Sequence, residues 1–262
     1  MLTIKQISKT FNPGTINEKK VLSNFSLHLE PCEFVTIIGS NGAGKSTLFN
    51  AISGSFLTDA GSIILDKQDI TFLAQHKRSK YIGHLYQDPN KGTAPNMTIL
   101  ENLALAAGNG GWLSHISKED KIKFINVLSQ LNLGLEHRLN QSVGLLSGGQ
   151  RQALALLMAT YNPPKLLLLD EHTAALDPQT AKQVLDLTDK IVKKNNITTL
   201  MITHNMQDAL SLGTRTIMMD NGNMILDVKG EERNKLTVDD LIFQFKLKSG
   251  QNLSNDRILL TK

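Results

Sequence analysis

Most early apolar positions follow the two-residue period of β-strands. Residues 2–7, 25–29 and 63–65 show this alternation, or short apolar runs bounded by turn residues. Because polar side chains occupy the alternate positions of residues 25–29, that strand has one buried and one solvated face. The pattern predicts a β subdomain of short, antiparallel strands in the first part of the chain.

Other apolar runs are short and nearly uniform, which is typical of strands buried in a parallel sheet. Residues 34–38, 166–169 and 198–203 have this character, and 81–86 forms a further strand. We predict a hairpin at 217–226, because the turn-forming pair Asn-Gly separates two short apolar runs there. Ligands of open α/β sheets bind at the carboxyl ends of such strands, so the residues that follow them are candidates for chemistry.

From residue 98 to about residue 160 the apolar positions change to helical spacing. Patterns of Ser or Thr followed three residues later by an acid predict helix N-termini at Thr98 with Glu101, Ser117 with Asp120 and Thr237 with Asp240. We therefore predict a helical subdomain at 91–160, inserted into a single domain whose core and β subdomain occupy 1–90 and 161–262. Trp112 either anchors a glycine-rich loop of this subdomain or meets a partner.

Composition narrows the class of protein. The 262 residues are 40% apolar, carry a net charge of +4 and include one cysteine, so a sizeable core without internal disulfides is expected. The basic residues are dispersed, which does not indicate nucleic-acid binding, and the seven histidines form no metal-ligand pattern. No apolar run approaches the roughly 18 residues of a membrane span, and no signal peptide is evident, so we expect a cytosolic protein.

A glycine-rich loop between a buried strand and a helix carries the clearest chemistry. The loop, called the phosphate loop below, consists of Gly39, Ser40, Asn41, Gly42, Ala43, Gly44, Lys45, Ser46 and Thr47. Its glycines let consecutive N–H groups point at phosphate oxygens, and the helix that follows adds its positive end. Lys45 would contact the β and γ phosphates, and Ser46 would ligate Mg²⁺. A glycine-rich turn without ligand is the alternative, and the complete spacing and periodic flanks argue against it.

Two further strand ends fit a Mg²⁺-dependent nucleoside triphosphatase. Asp170 and Glu171 follow the run at 166–169, and His204 follows the run at 198–203. A carboxylate pair at a strand end is otherwise the solvated start of a loop, and a single histidine is more often an ordinary structural residue. The phosphate loop makes the functional interpretation of all three the preferred one.

The segment Leu-Ser-Gly-Gly-Gln at 146–150 completes a set of motifs, and with it the chain resembles an ATP-binding cassette (ABC) ATPase over nearly its whole length. The family motifs occur in order: Phe11 as adenine-stacking aromatic, the phosphate loop, Gln87 as Q-loop, 146–150 as signature, 166–171 as Walker B segment, 175–177 as D-loop and His204 as switch histidine. The resemblance implies an α/β P-loop NTPase core of the RecA type, with an antiparallel β subdomain and an inserted helical subdomain.

The resemblance also implies a role for each motif residue. Asp170, Ser46 and Gln87 would hold Mg²⁺, Glu171 would act as general base, and Gln87 and His204 would contact the attacking water and the γ phosphate. The signature would bind ATP held by a second copy of the chain, in a head-to-tail dimer, through Ser147, Gly148, Gly149 and Gln150, with Asp177 of the D-loop nearby.

The signature helix at 150–160 and the segment 170–178 are similar to those of a bacterial subgroup of uptake ATPases, which work with branched-chain amino acid type permeases. This implies membrane permease subunits as partners and, indirectly, a substrate-binding lipoprotein. The ATPase would lie at the cytoplasmic face of the cell membrane, bound to the permease. The implied solute is an aromatic amino acid. Two other functions stay open: an exporter ATPase, and a soluble ABC ATPase of translation or DNA repair. Tandem cassettes or long coiled coils, which mark many soluble members, are not evident here.

Two residues depart from the family pattern. His172 stands where most members have proline after the catalytic glutamate, and Cys32 stands where a turn between strands usually has glycine. Neither departure removes a catalytic group. His172 either alters the position of Glu171 or titrates near it, or it is a subgroup variation without mechanistic effect.

Overall fold

A computed structural model of the protein describes residues 1–108 and 116–249, so Trp112 lies outside the described residues. The strands are β1 (Leu2–Phe11), β2 (Lys19–Leu29), β3 (Phe34–Gly39), β4 (Ala60–Leu65), β5 (Gln68–Asp69), β6 (Ile82–Leu85), β7 (Leu166–Asp170), β8 (Thr198–Ile202), β9 (Arg215–Asp220) and β10 (Asn223–Lys229). The helices are α1 (Lys45–Ser53), α2 (Gln75–Arg78), α3 (Ile99–Ala106), α4 (Lys118–Ser129), α5 (Gly148–Thr160), α6 (Pro178–Asn195), α7 (Met206–Ser211), α8 (Gly230–Asn234) and α9 (Val238–Ser249).

The chain divides into two compact units. The first contains Met1–Ile82 and the segment from Asn196 onward, and the second contains Gly83–Asn195. Helices α3, α4 and α5 belong to the second unit. The subdomain boundaries that we predict from the sequence stay a prediction.

The first unit contains the predicted antiparallel sheet, in the order β2-β1-β4-β5. Leu2 pairs with Leu29 on one side and with Leu65 on the other, and all three side chains are buried. The alternation of apolar and polar residues sets this register, since a shift by one position would turn the apolar side chains to solvent.

The same unit contains a second group of strands in the order β10-β9-β3-β8. β3 is parallel to both of its neighbours, and Ile37 pairs with Ile202 of β8 and Ile217 of β9. Every residue of β3 is buried, as expected for a central parallel strand. The predicted hairpin is confirmed, with β9 and β10 joined through Asn221 and Gly222, both at positive φ.

Cys32 lies in the turn between β2 and β3 with a φ of 63°. This left-handed conformation favours glycine, which gives the physical reason for the glycine common at this place in the family. The Cys32 N–H donates to the Thr198 hydroxyl at 2.9 Å. The side chain is exposed, and the described residues contain no second cysteine with which it could form a disulfide.

A buried arginine, which the sequence pattern does not predict, links α1 to the loop after β5. Arg78 is 1% exposed, and its guanidinium donates to backbone carbonyls at 2.7–2.9 Å. The acceptors are Ala51 and Ile52 in the last turn of α1, with Thr71 and Leu73. These contacts satisfy carbonyls that α1 leaves without intrahelical partners at its C-terminus. The cluster therefore fixes the far end of the helix that begins in the phosphate loop.

Replacing Arg78 by methionine should destabilise the protein strongly, because each buried carbonyl left without a donor costs about 1–3 kcal/mol. We expect thermal unfolding to shift down by about 2–4 °C per kcal/mol lost in a protein of this size. Lys77→Met is the matched control, since Lys77 is exposed on the same short helix. Equal melting temperatures of the two variants would contradict a structural role of the guanidinium.

In the second unit, β7 lies beside β6, and the helices enclose a separate apolar core. Its fully buried members include Ile99, Leu103, Phe124, Leu128 and Leu154. The capping boxes predicted for α3 and α4 are present, and that of α9 in the first unit has the same reciprocal bonds. Among the described residues, no helix is long and apolar enough to cross a membrane.

Candidate functional site

The first unit places the phosphate loop at the carboxyl end of β3, where a ligand of an α/β sheet is expected. Gly44 has a φ of 95° and is the N-cap of α1, and no side chain of the described residues caps this helix. Gly42 has a φ of 81°, and a Cβ built on it meets nothing within 4 Å. The first N–H groups of α1 are therefore suited to an anion rather than to a side chain of their own.

Lys45, the first residue of α1, is 5% exposed and curls over the loop. Its ammonium group donates to the carbonyls of Gly39 and Ser40, both at 2.9 Å. These bonds hold the charge at the loop, where phosphate oxygens would provide stronger, charge-assisted bonds.

The β9–β10 turn supports the phosphate loop from one side, a contact that the sequence analysis missed. The Ser40 hydroxyl donates to the buried carboxylate of Asp220 at 3.0 Å, and the Gly222 N–H donates to the Ala43 carbonyl at 3.0 Å. A Cβ on Gly39 would lie 2.1 Å from the Met219 carbonyl oxygen. The only signal in the sequence was the Asn-Gly turn, which predicts a hairpin but not what the hairpin touches.

His204 follows β8, the strand beside β3. Since Ile37 and Ile202 pair in parallel, the segments after both strands leave the same edge of the sheet. His204 therefore starts its loop at the same edge of the sheet as the phosphate loop, and its contact with a γ phosphate stays a prediction.

Phe11 ends β1 and contacts Phe56, with ring centroids 5.4 Å apart at an interplanar angle of 83°. The Lys9 ammonium lies 5.8 Å from the Phe11 ring and 5.3 Å from the Phe56 ring, and it forms an ion pair with Asp59 at 2.8 Å. The hydrogen bond from Lys9 is the largest cause that lowers the pKa of Asp59. Phe11 is thus an ordered ring in a small aromatic cluster, which would give a planar base a fixed surface for stacking.

In the second unit, Asp170 is the last residue of β7, and Glu171 follows it with a φ of 47°. The Glu171 carbonyl accepts the Ala174 N–H at 3.0 Å, so the chain turns sharply directly after the carboxylate pair. His172 is 3% exposed, and burial lowers the pKa of its imidazole to about 4.

The signature segment forms the start of α5. Ser147 is the N-cap, and Ser147 and Gln150 form a capping box with two bonds of 3.2 Å. Because the Ser147 hydroxyl accepts from the Gln150 N–H, its own proton remains for an acceptor such as a phosphate. A Cβ on Gly149 would lie 2.1 Å from the Thr180 methyl carbon, so only glycine allows this approach of α5 to α6.

Arg151 was not among the predicted site residues, yet it joins two of the motifs. Its guanidinium donates to the Asn90 side chain at 2.8 Å, and to the carbonyls of Gly144 and Leu146 at 3.0 and 3.1 Å. Asn90 belongs to the loop that begins at Gln87, whose side chain is exposed after β6. Arg151 therefore links the Q-loop segment to the signature within this unit.

Asp177 lies just before α6, and its carboxylate accepts the Thr180 N–H at 3.0 Å. The hydrogen bond from the Thr180 hydroxyl is the largest cause that lowers the pKa of the Asp177 carboxyl group, and the backbone bond adds to it. Pro178 begins the helix, because proline suits a first helical position.

His84 on β6 gives the second unit a defined response to acid. It stacks on Tyr86 at a centroid distance of 4.0 Å, and burial, with the nearby Lys91, lowers its pKa from 6.5 to about 4. Between pH 6.5 and about 4, the unfolded state binds a proton at His84 and the folded state does not. His84 should therefore destabilise the fold as the pH falls through this interval.

The variant His84→Phe should therefore lose less stability in acid than the parent protein. The free energy of unfolding of the variant minus that of the parent should rise by up to about 1.4 kcal/mol for each pH unit below 6.5, down to about pH 4. Above pH 6.5 this difference should stay constant. Urea unfolding at a series of pH values measures this. Parallel pH profiles of the two proteins would exclude the contribution of His84.

The oxygen donors of the predicted site suit a hard cation better than a soft one. The Ser46 hydroxyl, the Asp170 carboxylate and the Gln87 amide are ligand types that Mg²⁺ uses together with phosphate oxygens and water. Among the described residues, no group of three or more His, Cys, Asp or Glu side chains could hold a metal ion.

Comparison with known proteins agrees with this geometry. The family model described as "ABC transporter" matches residues 22–174. The chain is 48% identical, over 249 residues, to a protein of Clostridioides difficile (strain R20291) named "Tyrosine transport ATP-binding protein", which covers 94% of this chain and 99% of the relative. It is 33% identical to the "Aliphatic sulfonates import ATP-binding protein SsuB" of Albidiferax ferrireducens, covering 86% of this chain and 73% of the relative.

Two solved structures with the same fold are ATP-binding cassettes. The dimeric, post-hydrolysis state of the ATP-binding cassette MJ0796 bound to ADP and phosphate is 29% identical with a TM-score of 0.75, covering 87% of this chain and 98% of that chain. The ADP conformation of MJ1267, an ATP-binding cassette of an ABC transporter, is 26% identical with a TM-score of 0.76, covering 99% and 96%.

Proposed function

Because this chain belongs to the ABC transporter family and is one of its ATPases, we propose that it energises the uptake of an aromatic amino acid, with tyrosine as the first solute to test. The observation that carries the choice of solute is the 48% identity, over almost the whole of both chains, to the tyrosine transport ATP-binding protein. The expected fold and the ATPase activity agree with the family match and the structural neighbours, and the import-type subunit agrees with the names of the relatives.

The reaction proposed is hydrolysis of the terminal phosphoanhydride of ATP. The N–H groups of the phosphate loop and Lys45 bind the phosphates, while Phe11 stacks on the adenine. Glu171 accepts a proton from the water that attacks the γ phosphorus, the bond to the β-phosphate oxygen breaks, and ADP and inorganic phosphate leave. His204 donates to the γ phosphate and stabilises its developing charge.

Ser46, Gln87 and Asp170 are the residues that would hold Mg²⁺, because they supply hard oxygen donors from three motifs. When bound, Mg²⁺ neutralises part of the negative charge on the phosphates. Gln87 would also orient the attacking water. All three donors are oxygen atoms, and the set contains no imidazole or thiolate of the kind that transition metals prefer, which is the reason for proposing Mg²⁺.

The signature would contact the γ phosphate of ATP on a second copy of the chain through Ser147, Gly148, Gly149 and Gln150, with Asp177 of the D-loop nearby. The available Ser147 proton and the N-terminus of α5 support this role. Two copies would then enclose two ATP molecules, an arrangement in line with the dimeric cassettes among the structural neighbours.

As partners we propose integral permease subunits that bring the ATPase to the cytoplasmic face of the cell membrane, and a lipoprotein that delivers the solute to the permease. No observation favours an exporter or a soluble ATPase of translation or DNA repair over this import function. The transport names of the relatives support import.

The test is recovery of partners from detergent-solubilised membranes with a tagged Glu171→Gln variant and Mg-ATP, together with uptake of labelled tyrosine in cells that lack this chain. We expect a polytopic permease in the eluate and a loss of tyrosine uptake that the intact chain restores. Recovery of ribosomes or DNA without a permease would overturn the transport function. Normal tyrosine uptake with impaired uptake of another labelled solute would replace tyrosine but keep the importer.

A further inference from the structure

Glu171 has a backbone conformation that residues other than glycine rarely adopt. Its φ of 47° lies in the left-handed region, which strains the backbone of such a residue. A conformation of this kind persists only when neighbouring contacts hold it. β7 fixes the chain before Glu171, and a separate contact has to fix the chain after it.

His172 provides such a contact. Its side chain is buried, and its Nε2 atom lies 3.3 Å from the hydroxyl of Thr188 on α6. The Thr188 hydroxyl donates its single proton to the Val184 carbonyl at 2.8 Å. The hydroxyl must therefore accept from His172, which makes Nε2 the protonated nitrogen.

Thr188 is itself a rigid acceptor. It is fully buried in the middle of α6, and its bond to Val184 lies within one turn of that helix. A hydrogen bond from His172 thus fastens the residue directly after Glu171 to a long helix. The Ala174 N–H, which donates to the Glu171 carbonyl at 3.0 Å, closes the turn from the other side.

We propose that His172 is a positioning residue for the reaction: its hydrogen bond to Thr188 holds Glu171 in the left-handed conformation and thereby fixes the direction of the Glu171 carboxylate. This rests on the proposed role of Glu171 as general base. A proline at position 172, which most family members have, would have no side-chain donor. The residue before a proline is also driven toward extended conformations, away from the φ of 47° seen here.

The test compares two amides in place of the imidazole. The amide nitrogen of His172→Gln can reach the position of Nε2, whereas that of the shorter His172→Asn cannot reach Thr188. We expect His172→Gln to keep nearly the parent kcat, and His172→Asn to lose about 10- to 100-fold, as small misplacements of catalytic groups do. The KM for ATP should stay the same in both, because the phosphate loop is not altered.

Thr188→Val is the second variant, since it removes the acceptor with almost no change of volume. It should lower kcat as His172→Asn does, again without a change in KM. A parent-like kcat in Thr188→Val, or equal losses in the Gln and Asn variants, would overturn the proposal, because the imidazole would then only fill space. A rise in the KM for ATP together with every loss of kcat would also overturn the proposal, because the variants would then disturb ATP binding.

Glu171→Gln, assayed beside these variants, separates this inference from the proposed function. If it keeps normal turnover, Glu171 is not the base, so its proposed role in hydrolysis and the positioning role of His172 both fail. If it loses turnover while His172→Asn and Thr188→Val do not, the positioning role alone fails and the proposed function stands.

Discussion

Glu171→Gln should abolish most ATP turnover while leaving ATP binding intact. Glutamine keeps the size and the hydrogen-bonding oxygen of the side chain but cannot take a proton from water. General-base catalysis contributes about 10²- to 10⁴-fold to a rate, so kcat should fall at least about 100-fold. Steady-state phosphate release and equilibrium ATP binding measure the two effects separately.

A second readout of the same variant is its size in solution. Since hydrolysis would release the two copies, the variant should remain a dimer in Mg-ATP and a monomer without nucleotide. Glu231→Gln is the matched control, because Glu231 is an exposed residue in the first turn of α8 and undergoes the same chemical change. A normal kcat in Glu171→Gln would remove Glu171 from the role of base.

Lys45→Ala should lose ATP affinity, with a smaller effect on AMP. The Lys45 ammonium is held at the phosphate loop by two carbonyls, and it would exchange these for bonds to the β and γ phosphates. Hydrogen bonds to charged groups contribute about 1.5–3 kcal/mol each, which corresponds to a loss of about 10- to 100-fold in affinity. AMP lacks the β and γ phosphates, so its weaker binding should change less.

Calorimetric titration of the variant with ATP and with AMP tests this difference. Lys182→Ala on α6 serves as control for the loss of one positive charge. Thermal unfolding of each variant identifies any loss of affinity that comes from misfolding, since Lys45 is buried. ATP binding equal to that of the parent would contradict the assignment of the phosphate loop.

Local patterns predicted the parts of the fold that depend on neighbours in sequence. The capping boxes at Thr98 and Ser117 formed because the partner lies three residues away. The turn at Asn221 and Gly222 formed because both residues tolerate positive φ. The phosphate loop was recognisable because its backbone requires glycines at fixed spacing between a strand and a helix.

Contacts between distant segments were not predictable in this way. Ser40 and Asp220 are 180 positions apart, and Arg78 reaches the Ala51 carbonyl across 27 positions. Nothing in the spacing of these residues indicates a partner, because a buried polar group takes whichever acceptor the packing of strands and helices brings near. In the sequence, these residues cannot be distinguished from any other serine, aspartate or arginine.

The sequence by itself determined which residues could carry the chemistry and in what order the strands and helices follow, because both depend on residue type and short-range spacing. Only the tertiary structure decided how these residues are supported: the hairpin beneath the phosphate loop, the guanidinium at the end of α1, and the imidazole that joins the turn after β7 to α6. Such support depends on buried hydrogen bonds, and a buried donor gains its partner only when the core has closed around it.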